Sequence, residues 1–134
     1  DLDLIELHSL QVGSDVEQLD PWRDHQRVID WSNVVDDFSD TAYVINQLDL
    51  VISVDTAVAH LAGALNKHTW LLLPHNADFR WLHKRDDSPW YSTMRLFRQK
   101  QRGDWQSVMS ELQAAFNGLF ILDLPVLADA KLTR

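Results

Sequence analysis

The run Asp49-Leu50-Val51-Ile52-Ser53-Val54-Asp55-Thr56-Ala57-Val58-Ala59-His60-Leu61-Ala62-Gly63-Ala64-Leu65 changes its hydrophobic period partway along. Leu50 to Val54 is continuous, apolar and β-branched, the composition of a strand covered on both faces. From Asp55 onward the spacing becomes helical. Val58, Leu61, Ala62 and Leu65 fall at i, i+3, i+4 and i+7, which predicts a helix from Asp55 to about Leu65 with that stripe on a sheet. Ala59 and Gly63 are small enough for neighbours to approach closely, and Asn66 is a left-handed stop.

Outward from this unit the chain alternates strand-like and helical segments, the pattern of an α/β fold with a parallel sheet. Upstream, Leu4 to Leu10 and Val28 to Trp31 read as strands. Ser39 or Asp40 caps a helix running to about Leu48, with Val44, Ile45 and Leu48 on one face. Downstream, Thr69 to Leu73 is a strand ended by Pro74. His75 to Ser92 reads as an elaborated loop with one helical turn at Phe79 to His83, and Met94 to Phe97 as a last strand. Gly103-Asp104 begins a helix with Trp105, Val108, Met109, Leu112 and Phe116 on one face. Leu119 to Leu127 is apolar without a clear period, an extra strand or a tail. The domain reading is residues 1–118 as a Rossmann-like unit and 119–134 as a C-terminal tail.

The 134 residues suit one domain with a sizeable core. The chain begins at Asp1 with strand-like residues, so it reads as a piece of something larger. No apolar run approaches the ~20 residues of a membrane-spanning helix. The absence of cysteine removes disulfide frameworks and thiol nucleophiles, and fits a cytoplasmic setting. A formal charge of −8 argues against non-specific binding to nucleic acid or anionic membranes. It leaves room for an anionic small molecule held by local backbone dipoles. Most of the six tryptophans are expected in the core or in domain contacts.

Chemistry concentrates at Val54-Asp55-Thr56-Ala57-Val58-Ala59-His60. Ligands of parallel α/β sheets bind at the carboxyl ends of the strands. A helix starting there offers unpaired N–H groups and roughly +0.5 of a charge, which suits a diphosphate. Thr56 adds a hydroxyl, Ala57 keeps the entrance open, and His60 lies one turn further on. A plainer reading stands beside it: Asp55 as N-cap, Thr56 as a first-turn residue and His60 as packing. Asp36-Asp37 and Asp86-Asp87 read as solvated loops, since adjacent side chains point apart. The histidines form no HxH or HExxH pattern, so no metal site is expected. Arg80, Lys84, Arg85, Arg95, Arg98, Lys100 and Arg102 read as a solvated basic face.

The Asp49–Leu65 run resembles the donor-site signature of heptosyltransferase-like (family 9) glycosyltransferases. It is closer to the glycosyltransferase-like domains that follow tetratricopeptide repeats in many bacterial proteins. Trp70-Leu71-Leu72-Leu73-Pro74, Asp78-Phe79-Arg80-Trp81-Leu82, Asp86-Asp87-Ser88-Pro89-Trp90-Tyr91 and Met94-Arg95-Leu96-Phe97-Arg98-Gln99 match that second group in order. Ser9-Leu10-Gln11 and Gly103-Asp104-Trp105 do so as well, and the resemblance covers about residues 4 to 117.

The resemblance implies the C-terminal, Rossmann-like domain of a two-domain GT-B enzyme. That domain binds a nucleotide-diphosphate sugar as donor substrate, with no metal and no other cofactor, and transfers its sugar to an acceptor hydroxyl. Asp55, Thr56, Ala57 and His60 would line the diphosphate and sugar. Ser9, Leu10 and Gln11 would border the nucleotide, and Pro74, Asn76 and Asp78 would close the other side. The general base would come from a preceding N-terminal domain and the acceptor is left unassigned, so the chain alone would be inactive.

Three departures qualify this. Ala57 stands where heptosyltransferases usually have glycine, and Val12 stands where the repeat-linked relatives usually have a basic residue. The first strand and helix of the family's C-terminal domain are not found. A non-catalytic interaction domain keeping the fold is the alternative function, favoured by Val12 and the tryptophans. A sugar-nucleotide epimerase is a third reading, without the acid/base carboxylates it needs.

Overall fold

The computed structural model describes residues 5–23 and 28–122. The chain is mixed α/β with parallel strands and flanking helices, as the alternation predicts, and it divides into two units, Asp1–Leu48 and Asp49–Arg134.

In the first unit, β1 (Leu7–Ser9) pairs in parallel with β2 (Val28–Asp30), with His8 opposite Ile29. Both are shorter than the sequence suggests, and the predicted start at Leu4 lies outside the described residues. Between them run a 3₁₀ segment at Ser14–Leu19 and a short helix, α1 (Asp20–Arg23), neither of which the sequence reading foresaw. Helix α2 (Phe38–Gln47) begins one or two residues before the predicted cap. Asp37 is the N-cap, its carboxylate accepting from the N–H groups of Ser39 and Asp40 at 2.7 and 3.1 Å. Ser39 and Asp40 are therefore the capped residues rather than the caps. Thr41, Val44 and Ile45 form the buried face of α2.

In the second unit, β3 (Val51–Val54), β4 (Thr69–Leu73) and β5 (Met94–Arg98) form a parallel sheet in that order. Helix α3 (Ala57–Ala64) joins β3 to β4, and α4 (Trp105–Leu122) follows β5. The two-residue period of β4 sorts the core into layers. Leu71 and Leu73 meet Ala59 of α3 together with Trp81, Met94 and Leu96. Trp70, with Leu72, meets Phe97, Val108, Leu112 and Phe116 on α4.

The contact faces of both helices match the spacing in part: Ala62 on α3 and Val108, Leu112 and Phe116 on α4 pack as expected. On α3, Ala59, Ala62 and Gly63 are buried, while Val58 and Leu61 are only half-buried. Small residues set this face because a ring packs against it: a Cβ at Gly63 would lie 2.5 Å from Cγ of Tyr91. On α4, Val108 is buried, but Trp105 and Met109 are exposed. Residues 119–122 continue this helix, so they are not an extra strand, and 123–127 lie outside the described residues. Asn66 ends α3 as expected, with φ +56°. The N–H of Lys67 reaches the carbonyl of Ala62 and that of Asn66 reaches Gly63, both at 3.0 Å, a Schellman closure.

Candidate functional site

Helix α3 starts directly at the carboxyl end of β3, and Thr56 rather than Asp55 is its N-cap. The Thr56 carbonyl accepts from Ala59 and His60, so the N–H groups of Ala57 and Val58 have no acceptor within the helix. Thr56 and Ala57 are both exposed. The helix start is thus open, with free donors and the positive end of the dipole facing outward. The Thr56 hydroxyl lies 3.2 Å from Ser53 Oγ, and Ser53 donates to the Val54 carbonyl at 2.9 Å. Ser53 has spent its one proton, so Thr56 supplies the proton between them. Turning that proton onto an incoming oxygen requires only rotation of the hydroxyl.

Asp55 does not cap the helix because its carboxylate is engaged elsewhere. Oδ2 accepts the indole N–H of Trp81 at 2.8 Å, while Oδ1 stands 3.6 Å from His60 Nε2. The second distance is too long for a hydrogen bond but within reach of an ion pair. His60 Nδ1 is 3.0 Å from the Tyr91 hydroxyl. The imidazole is stacked on Trp81 at 5.2 Å between centroids and meets the Tyr91 ring edge-on at 5.9 Å. His60 Nε2 is buried without a hydrogen-bond partner. Asp55, His60, Trp81 and Tyr91 therefore form a braced cluster behind the helix start. The imidazole braces that cluster, with Nε2 buried and Nδ1 against the Tyr91 hydroxyl.

The other predicted site residues are distributed differently. Asp78 N-caps the 3₁₀ turn Phe79–Trp81, accepting from the backbone N–H of Arg80 at 3.0 Å and from its Nε at 2.9 Å. These two bonds, the backbone one first, hold its carboxyl below the usual range, and His60 contributes weakly in the same direction. Asn76 does not join the His60 cluster. It lines a cleft of about 520 Å³ with His75, His83, Lys84, Arg85, Arg98, Gln99 and Lys100. Ser9 and Gln11 lie in the first unit, where the Gln11 N–H donates to Ser9 Oγ at 3.3 Å.

Trp81 and Tyr91 were not singled out from the sequence as site residues. They stand inside the motif runs Asp78–Leu82 and Asp86–Tyr91, which was the signal available. Trp70 and Trp81 are buried, whereas Trp22, Trp90 and Trp105 are exposed.

No curated protein and no solved structure matches the chain. Residues 37–72 match the model of Glycosyltransferase family 9 (heptosyltransferase). That segment runs from the Asp37 cap through β3 and α3 to Leu72 of β4. The open helix start thus falls inside the matched segment, and the match supports a glycosyl transfer function in general.

Proposed function

We propose that the chain is the donor-binding domain of a glycosyltransferase, holding a nucleoside-diphosphate sugar at the start of α3. The observation that carries this reading is the coincidence of the family 9 match with a helix whose first N–H groups are unpaired and whose first residues, Thr56 and Ala57, are exposed. In this reading Ala57 and Val58 donate their N–H groups to the diphosphate, and the Thr56 hydroxyl adds a third donor. As the glycosidic bond to the donor phosphate breaks, negative charge builds on the leaving diphosphate. Fixed dipoles aimed at that charge stabilise it with little reorganisation. Asp55, His60, Trp81 and Tyr91 hold the turn in place as positioning residues. Asp78 borders the donor, and the general base comes from outside this chain.

Calorimetric titration with UDP, ADP and GDP tests this. Saturable binding of one nucleotide is expected, weakened about tenfold in Thr56→Val, which removes one donor to a charged group. His60→Ala is expected to weaken it as well, by loosening the brace. Absence of binding by all three would overturn the reading.

A second reading, an interaction domain retaining the fold, is favoured by Val12 and by the exposure of Phe79 and Trp90, 81% and 65%. Under it none of the nucleotides binds, and substitutions at Thr56 are silent.

A further inference from the structure

The cleft bounded by His75, Lys84, Arg98 and Lys100 gathers cations in a chain whose net charge is −8. Two of its cations already have carboxylate partners. Arg85 donates Nε and Nη2 to Asp87 at 2.6 and 2.7 Å, and Lys100 pairs with Glu111. Arg98 and Lys84 have none among the described residues. Arg98 Nη2 donates to the Trp81 and Leu82 carbonyls at 3.0 and 2.8 Å. Its Nε and Nη1 are buried and meet no acceptor. Leaving guanidinium N–H groups unmade in a covered site is costly, and burial pulls the Arg98 pKa below its ordinary value. A negative charge held beside the guanidinium offsets the burial of its charge.

The loop beside Arg98 supports the same conclusion. Leu82 and Lys84 both carry positive φ, 50° and 56°, and Leu82 has ψ −172°, a region that side chains rarely adopt. The Arg98 clamp on the 81–82 carbonyls holds that loop, and Lys84 follows directly from it. Gln99, the residue after Arg98, is tied down as well: its Oε1 accepts from the N–H groups of His75 and Gly103, and His75 Nδ1 donates to the Gln99 carbonyl. A strained, clamped loop and a braced lining residue make a preorganised arrangement, and a cleft of about 520 Å³ has room for a small molecule.

We propose that this cleft is a second anion site, separate from the α3 start, which binds the phosphate group of a small phosphate ester through Arg98 and Lys84. The basic run from Arg80 to Arg102 is then only partly a solvated face. The experiment is a titration of the full chain, followed by backbone amide NMR at low salt. The probes are inorganic phosphate, pyrophosphate and glucose 6-phosphate, with potassium chloride as the ionic-strength control. The expected result is saturable movement of the amides of His75, Asn76, Lys84 and Arg98 with glucose 6-phosphate, while Ala57 and Val58 stay still. Tighter binding of the ester than of free phosphate is expected.

Arg98→Ala releases the 81–82 carbonyls and risks unfolding, so the diagnostic variant is Lys84→Asn, since asparagine tolerates the left-handed backbone. Its affinity is expected to fall about fivefold, the effect of one partly screened charge. Thr56→Val is expected to leave this binding unchanged, which separates it from the donor site. Three results would each overturn the proposal: no saturation by about 10 mM ester, beyond even the millimolar range of weak specific binding, movement confined to the α3 amides, or an unchanged affinity in Lys84→Asn. Free phosphate or pyrophosphate binding as tightly as the ester would reduce the site to a simple anion site and overturn the ester assignment.

Discussion

At Asp55 one carboxylate meets two rings, and the fate of each oxygen differs. Oδ2 is fixed by the Trp81 indole at 2.8 Å, and Oδ1 faces His60. Trp81→Phe keeps most of the buried ring but removes that donor from a carboxylate. A loss of about 2 kcal/mol in unfolding free energy is expected from urea titration. Tyr91→Phe removes only the neutral contact to His60 and is expected to lose about 1 kcal/mol. Gly63→Ala is the sharper residue-scale test. Helix propensity alone makes alanine better than glycine by about 1 kcal/mol. Here the added methyl would meet the Tyr91 ring, so a net destabilisation of about 1–3 kcal/mol is expected instead. A stabilised Gly63→Ala protein would show that Tyr91 does not pack on α3 as described.

The helices show which forces set an element's ends and faces. Asp37 caps α2 through two N–H groups, and Asp37→Ala is expected to lower stability by about 1 kcal/mol in thermal unfolding. Asp37 was legible as a capping type but stands beside Asp36, Ser39 and Asp40, which share that propensity. Local sequence alone does not decide among them. The strands β3, β4 and β5 were legible because their apolar runs are short, β-branched or leucine-rich and bounded by turn residues. The face of α3 was not. Spacing favours the stripe Val58, Leu61, Ala62 and Leu65, of which only Ala62 is buried; Tyr91 comes from a loop far along the chain and packs on Gly63, and Ala59 and Gly63 complete the buried face. The same distance in sequence hid the partnership of Asp55 with Trp81. A motif can mark both segments without saying that they touch.

At the scale of the whole molecule, acidity dominates, and several aspartates are tied to N–H or guanidinium donors. Asp78 and Asp104 are held below the ordinary 3.8 chiefly by the backbone N–H groups of Arg80 and Ser107, and Asp87 by the Arg85 guanidinium. A folded-state pKa below the unfolded one gives stability that is present above the unfolded value and lost as pH falls through the folded one. The contribution of these carboxylates is therefore expected to be constant above about pH 5 and to decline below about pH 4, read as the urea midpoint against pH. Asp104→Asn keeps a side-chain acceptor for α4 and is expected to shrink that acid decline. The charge of −8 also means that any phosphate ligand must be held by local donors against the net field. The most direct test of that claim is backbone amide NMR of the full chain during titration with whichever of UDP, ADP or GDP binds. Saturable downfield movement of the Ala57 and Val58 amides, lost in Thr56→Val, is the predicted result; saturable binding that leaves those two amides unmoved would contradict a donor site at the start of α3.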